Sequence, residues 1–242
     1  MENHKELVIS GDVVFIADIH FGISKEIDAR FLNFIKRLPE SITIISLGDF
    51  VDFWAEGNNY DFSADYRNLS LLQKKKIFFL RGNRDFLIGD RWSKLTGGKI
   101  LAEPAVINCS RNKIIAMHGD LLMTSDLRYL FWRSICRSRL FHFAAKSIGR
   151  KWAMKVARYL RIASSKEVAR KSKKELSIDY SLAEKLMEED GIIVCGHTHR
   201  SERKKLDCGE LIVLGSWDKD GKVLFVGKDG LLFEQPEDIK FM

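Results

Sequence analysis

The chain has 242 residues, with 40 Lys and Arg against 33 Asp and Glu and a formal charge of +7. Its 45% hydrophobic and 30% charged residues fit a soluble globular protein able to bury one substantial core. Collagen-like, intrinsically disordered and disulfide-scaffold classes are excluded. The charge is lopsided: Arg128 to Lys174 holds 15 basic residues and one acid, Glu167, so a segment of net +14 sits on a body of net −7. That block points to an anionic partner or to a solvated face. Cysteines fall singly at 109, 136, 195 and 208 and read as reduced thiols in a cytosolic protein. No basic start leads into an apolar run and no stretch approaches ~18 apolar residues, so neither a signal peptide nor a membrane-spanning helix is expected.

In chain order, short β-branched runs predict strands at Val13 to Ala17, Ile42 to Leu47, Ile77 to Leu80, Lys113 to Met117, Ile192 to Cys195, Leu211 to Leu214 and Val223 to Val226. Helical patterns cover Lys25 to Leu38, Asp65 to Lys75 and Ser181 to Glu189. The alternation predicts an α/β fold, with the last two strands paired as a hairpin across Asp218 to Lys222. Residues 126–178 break the rhythm. They contain no proline and one glycine, and aromatic residues interleave with cations, which predicts a basic insertion of two or three helices into a body formed by 1–125 and 179–242.

The strands end in metal-capable side chains. The first runs into Asp18-Ile19-His20 and the second into Gly48-Asp49; the third precedes Gly82-Asn83-Arg84-Asp85. The fourth leads to His118-Gly119-Asp120 and the fifth to Gly196-His197-Thr198-His199. Open α/β sheets place their sites at such ends. Any one of these residues has a structural alternative as a turn former or a satisfied polar group. Together, Asp18, His20, Asp49, Asn83, His118, His197 and His199 offer four imidazoles and three oxygen donors. Strand-like alternation would aim both donors of Asp18-Ile19-His20, and both of His197-Thr198-His199, to one face. The mixed set suits Mn²⁺, Fe²⁺, Zn²⁺ or Co²⁺ better than Ca²⁺. Seven donors exceed one open catalytic site, so two divalent ions sharing a carboxylate, about 3.5 to 4 Å apart, are expected.

In this order, D-x-H, GD, GN-x-[DE], HGD and GHTH resemble the calcineurin-like metallophosphoesterases over Val13 to His199. The resemblance implies a layered αββα sandwich, with Asp18, His20, Asp49 and His199 on one metal, Asn83, His118 and His197 on the other, and Asp49 bridging. Arg84 stands where most of that superfamily has His. Together with Ser125-Asp126, Tyr129 to Arg133 and Val213 to Trp217, it makes the chain similar to the UDP-2,3-diacylglucosamine diphosphatases of lipid A synthesis. That likeness implies hydrolysis of a lipid-linked sugar nucleotide with manganese as the metal. It implies catalytic roles for Asp49, Asn83, Arg84 and His118, and substrate contacts from Asn83, Arg84, Asp126, Arg161, Ser164, Lys171 and His197. The leaving group would be a phosphate monoester, whose second pKa is about 6, so a fixed guanidinium serves better than a proton donor.

On this reading the aromatic faces of the inserted helices hold acyl chains while their cations face an anionic membrane surface. The expected location is cytoplasmic, peripheral on the inner face of the cytoplasmic membrane, with no stable nucleic-acid partner. A second reading is another calcineurin-like phosphodiesterase or nuclease that acts on a different nucleotide-linked lipid or whose basic insertion grips a nucleic-acid backbone. A third is a non-catalytic binding module, against which the complete ligand set argues. Asp85 would orient a neighbouring group and Asp120 would support a ligand. Two departures from the narrower pattern are the loop Ala55 to Asn59, without an acidic pair, and Ser216, where an acid is expected.

Overall fold

The computed structural model describes residues 6–58, 60–125, 127–155 and 177–241. In chain order the first half runs β1 (Leu7–Ile9), β2 (Val13–Ile16), α1 (Lys25–Arg37), β3 (Thr43–Ser46), a 3-10 helix (Arg67–Lys74), β4 (Ile77–Phe79), α2 (Asp90–Thr96) and β5 (Lys99–Ile100). It continues with β6 (Ala105–Cys109), β7 (Asn112–Ala116), a 3-10 turn (Asp120–Leu122), α3 (Leu127–Cys136), α4 (Arg139–Ser147) and α5 (Tyr180–Leu186). The last strands are β8 (Gly191–Cys195), β9 (Ser201–Leu206), β10 (Gly209–Leu214), β11 (Val223–Gly227) and β12 (Gly230–Glu234).

Two six-stranded sheets form, in the orders β1-β6-β7-β8-β10-β9 and β12-β11-β2-β3-β4-β5. Alternation along β2 explains their stacking. Val13 and Phe15 pack with Ile107, Ile114, Val194 and Ile212 of the opposite sheet. Val14 and Ile16 face the other way, onto Phe31, Phe34 and Ile35 of α1. A strand covered on both faces has no polar side, and β2 reads as an unbroken apolar run. On the outer face of the first sheet, Ile193, Leu211 and Val213 pack on Ala183 of α5 and on Met187. The layers are therefore helix, sheet, sheet, helix.

The expected hairpin of the last two apolar strands does not form. β10 pairs with β8 and β9 in one sheet, whereas β11 pairs with β2 and β12 in the other. Between them Trp217 is buried edge-on against Phe31 and Phe34, which draws the chain across the sandwich. The antiparallel partner of β10 is β9, Ser-Glu-Arg-Lys-Lys-Leu, an edge strand whose polarity hides it from a search for apolar runs. Leu122 O accepts from Asp179 N at 2.7 Å, and Thr124 Oγ1 donates to Asp179 Oδ2 at 2.7 Å. These bonds join the chain on either side of the basic segment.

Candidate metal centre

The five strand-end loops meet at one edge of the sandwich. Asp18 N donates to Gly48 O, His20 N to Asp49 O and Gly196 N to His118 O, at 3.2, 3.0 and 2.8 Å. The donors do not converge by strand alternation. Asp18, His20, Asp49, His197 and His199 all have positive φ, between 48° and 71°, a conformation non-glycine residues adopt only where surrounding contacts impose it. Glycines make room for this. A methyl group on Gly82 would lie 2.2 Å from Asp49 Oδ1, and one on Gly196 would lie 2.4 Å from Asp18 Oδ2.

One donor atom from each of Asp18, His20, Asp49 and His199 lies within 4.8 Å of the others. His20 Nε2 and His199 Nε2 are 3.2 Å apart. A second group forms around His197 Nδ1, which is 3.1 Å from His118 Nε2 and 2.9 Å from the Asn83 side-chain amide. His118 Nε2 is 3.9 Å from Asp49 Oδ2, so Asp49 stands between the groups. His197 and His199 consequently serve different groups rather than one face. The 3.1 and 3.2 Å nitrogen separations match the roughly 3.0 to 3.4 Å between ligands that share an ion at bond lengths of ~2.1 Å. Asp18 Oδ1 and His20 Nδ1 are buried without a hydrogen-bond partner among the described residues.

Electrostatics favour a cation here. Burial, reinforced by Asp49, pushes the Asp18 carboxyl up to about 8. Burial acts on Asp49 in the same sense, but His118, His20 and Arg84 outweigh it and hold Asp49 below the usual carboxylate range. Burial would lower His118, yet Asp49, Asp120, Asp18 and Glu103 raise it to about 9. Burial lowers His20 to about 3, His197 to about 4, and also lowers His199. Those three imidazoles are neutral near pH 7 and carry lone pairs. Divalent ions would stabilise both carboxylates in their ionised form. The donor set thus fits divalent metal.

Around the donors stands a shell of hydrogen bonds. Asp85 is fully buried and accepts from Gly82 N at 2.7 Å, Phe50 N at 2.7 Å and Asp49 N at 3.3 Å, holding the loops together. Asp49 Oδ1 accepts from Asn83 N and Arg84 N at 2.5 and 2.8 Å, and Asp18 Oδ2 from His197 N at 2.6 Å. Leu47 O lies 3.0 Å from His118 Nδ1, which leaves Nε2 turned toward the other donors. Arg84 donates to Asp52 at 2.6 Å. At the first departure, Glu56 accepts from Arg91 N at 2.9 Å and so caps α2, while Ser216 at the second donates to Asp18 O at 3.2 Å.

Sequence reasoning missed Asp52 and Glu103. Asp52 lies three residues past Asp49, and nothing about it stands out before the fold brings Arg84 alongside. Glu103 Oε1 accepts from His118 N at 2.5 Å, and Oε2 accepts from Arg133 at 2.8 Å and from Arg137. Arg133 Nε also donates to buried Asp120 at 2.6 Å. Arg133 and Arg137 depart from the expectation that the cations of the basic segment face a membrane, because buried carboxylates draw these two inward. Arg150 likewise pairs with Asp65 at 2.6 Å. Outward instead are Phe131, Leu140, Phe143 and Trp152, exposed by 66, 82, 75 and 64%. Asp126, Arg161, Ser164 and Lys171 lie outside the described residues.

Residues 11–201 match a family model described as calcineurin-like phosphoesterase. Over 231 residues the chain is 31% identical to a UDP-2,3-diacylglucosamine hydrolase of Pseudomonas fluorescens, covering 90% of this chain and 92% of that one. A protein of the same name from Coxiella burnetii is 30% identical over 240 residues, with 90% and 94% covered. One from Haemophilus influenzae is 30% identical over 222 residues, with 85% and 90% covered.

Proposed function

The chain belongs to the calcineurin-like phosphoesterase family, and on that premise we propose that it hydrolyses the pyrophosphate bond of UDP-2,3-diacylglucosamine, releasing UMP and 2,3-diacylglucosamine 1-phosphate. The observation that carries this reading is the convergence of seven donors into two groups around Asp49, beside a guanidinium held by Asp52. The name shared by relatives that align over nine-tenths of the chain supports the substrate.

Asp18, His20, Asp49 and His199 would hold one manganese ion, and Asn83, His118 and His197 a second, with Asp49 shared. The mixture of imidazole and oxygen donors suits that metal. When bound, such ions polarise phosphoryl oxygens and lower the pKa of water. Arg84, its free direction set by the 2.6 Å bond to Asp52, binds an oxygen of the pyrophosphate as a fixed cation and stabilises the charge that develops there. Water adds to the phosphorus next to uridine, and the bond to the bridging oxygen breaks. The departing sugar phosphate needs little protonation, so no side chain has to act as general acid.

The exposed apolar residues of α3 and α4, with Trp152 beyond them, support contact with acyl chains and with the inner face of the cytoplasmic membrane. Among the described residues no helix is long and apolar enough to cross a membrane. Asp126, Arg161, Ser164 and Lys171 would add substrate contacts from the 126–178 segment. The test is to incubate the Mn²⁺-loaded protein with UDP-2,3-diacylglucosamine in ¹⁸O water. The expected product is UMP carrying the label. The His118→Ala variant is expected to lose UMP release by more than about 100-fold, beyond the usual cost of removing a group that only supports a ligand. Near-normal release by that variant would overturn the reading.

A further inference from the structure

A second concave region, of about 550 Å³, lies where the chain after β5 meets α3 and α4. It is lined by Arg81, Glu103, Arg137, His142, Phe143 and Lys146 together with apolar Leu101 and Ala102, and none of these is among the seven donors. Of the three permanent cations here, Arg137 pairs with the one lining carboxylate, Glu103, and reaches Asp120 at 3.6 Å, while Arg81 and Lys146 have no ion pair among the described residues. Both oxygens of the Glu103 carboxylate are already engaged, Oε1 by His118 N and Oε2 by Arg133 and Arg137. Arg137 also donates to Arg81 O at 2.9 Å, which brings the two guanidinium-bearing residues together. Arg81 Nε is buried without a hydrogen-bond partner, and neither Lys146 nor His142 has an ion pair among the described residues. The crowding has its electrostatic signature. Burial and Arg137 lower Arg81, while burial, Arg81 and Lys146 lower His142.

Like charges gathered around a cavity of this size favour a bound anion with about two charges, as a phosphate monoester carries near neutral pH. Arginine donors suit its oxygens. One wall is apolar and includes Phe143, which is largely exposed, as is Leu140 three residues before it on α4. A free ion would leave that wall in water, whereas a hydrocarbon chain attached to the phosphate would cover it. We propose that this cleft binds the phosphate monoester of an amphiphile, with the phosphate among Arg81, Arg137, His142 and Lys146 and the chain across Phe143.

Calorimetric titration of the full Mn²⁺-loaded protein tests this, using dihexanoyl phosphatidate, dihexanoyl phosphatidylcholine and inorganic phosphate as probes. Phosphatidate is expected to bind at least about tenfold more tightly than either other probe, and the double substitution His142→Gln/Lys146→Ala to weaken it by about tenfold or more. Phe143→Ser is expected to weaken phosphatidate binding and leave phosphate binding unchanged. Equal phosphatidate affinity in the wild type and the double variant would overturn the site. Phosphate binding as tight as phosphatidate binding would overturn the amphiphile, and equal phosphatidylcholine binding would overturn the anion. UMP release by the double variant is expected to stay normal, so failure here and failure of the proposed activity register in separate measurements.

Discussion

The strand-end loops and α3, within the basic segment, hold their charged groups by opposite means. In the loops, backbone shape does the positioning: positive φ at five of the donors and two glycines that let neighbouring carboxylates approach. Burial and the neighbouring Asp49 carboxylate disfavour the charged form of Asp18, which is pushed up accordingly until a cation joins the two acids. In the segment, side chains do the positioning, because Arg133 and Arg137 reach from α3 onto Asp120 and Glu103. Strain and like-charge crowding therefore mark the site that awaits chemistry, whereas well-paired buried charge marks a joint.

The comparison is sharpest at Glu103, which touches both regions. Glu103→Gln leaves Arg133 and Arg137 part-buried beside a neutral amide, and removing one partner of a buried pair costs about 3 to 5 kcal/mol. A denaturant titration should show a loss of that order. A loss below ~1 kcal/mol would mean that apolar packing, not charge, seats the helices. Next in size, Gly82→Ala drives a methyl group into Asp49 and should displace that carboxylate. Misplacements near 1 Å cost about 100-fold in rate. Turnover, metal content and melting temperature should all fall, since the methyl would also lie 2.2 Å from the Asp49 backbone N, and unchanged metal content would break the claim that backbone shape builds the centre. The smallest effect belongs to Arg150→Ala. Arg150 and Asp65 are each about half exposed, and such a pair contributes between roughly 0 and 1 kcal/mol. A larger loss would show that the segment is also docked along its outer edge.

Much of this was legible in the chain itself. Apolar runs located β2, β3, β4, β7, β8, β10 and β11, and the polar residues closing five of them are the donors that meet at one edge. The order of those motifs identified the family because each has a local reason to exist. A strand must end in a turn, and Gly82 and Gly196 sit where a side chain would collide with a neighbouring carboxylate, Gly48 and Gly119 where it would collide with neighbouring backbone.

Tertiary structure alone decided which charges face which. Asp52 and Glu103 acquire their roles from partners 32 and 34 residues away, Arg84 and Arg137. The assignment of β10 and β11 to different sheets follows from the burial of Trp217. Cations that composition alone would place in solvent turn inward in Arg133 and Arg137 while Phe131 and Leu140 turn out. The physical reason is range. Turn chemistry and side-chain alternation act within a few residues and are written in the local sequence. Desolvation of an acid such as Asp120 is set by everything packed around it, and it determines which arginine must come to meet it.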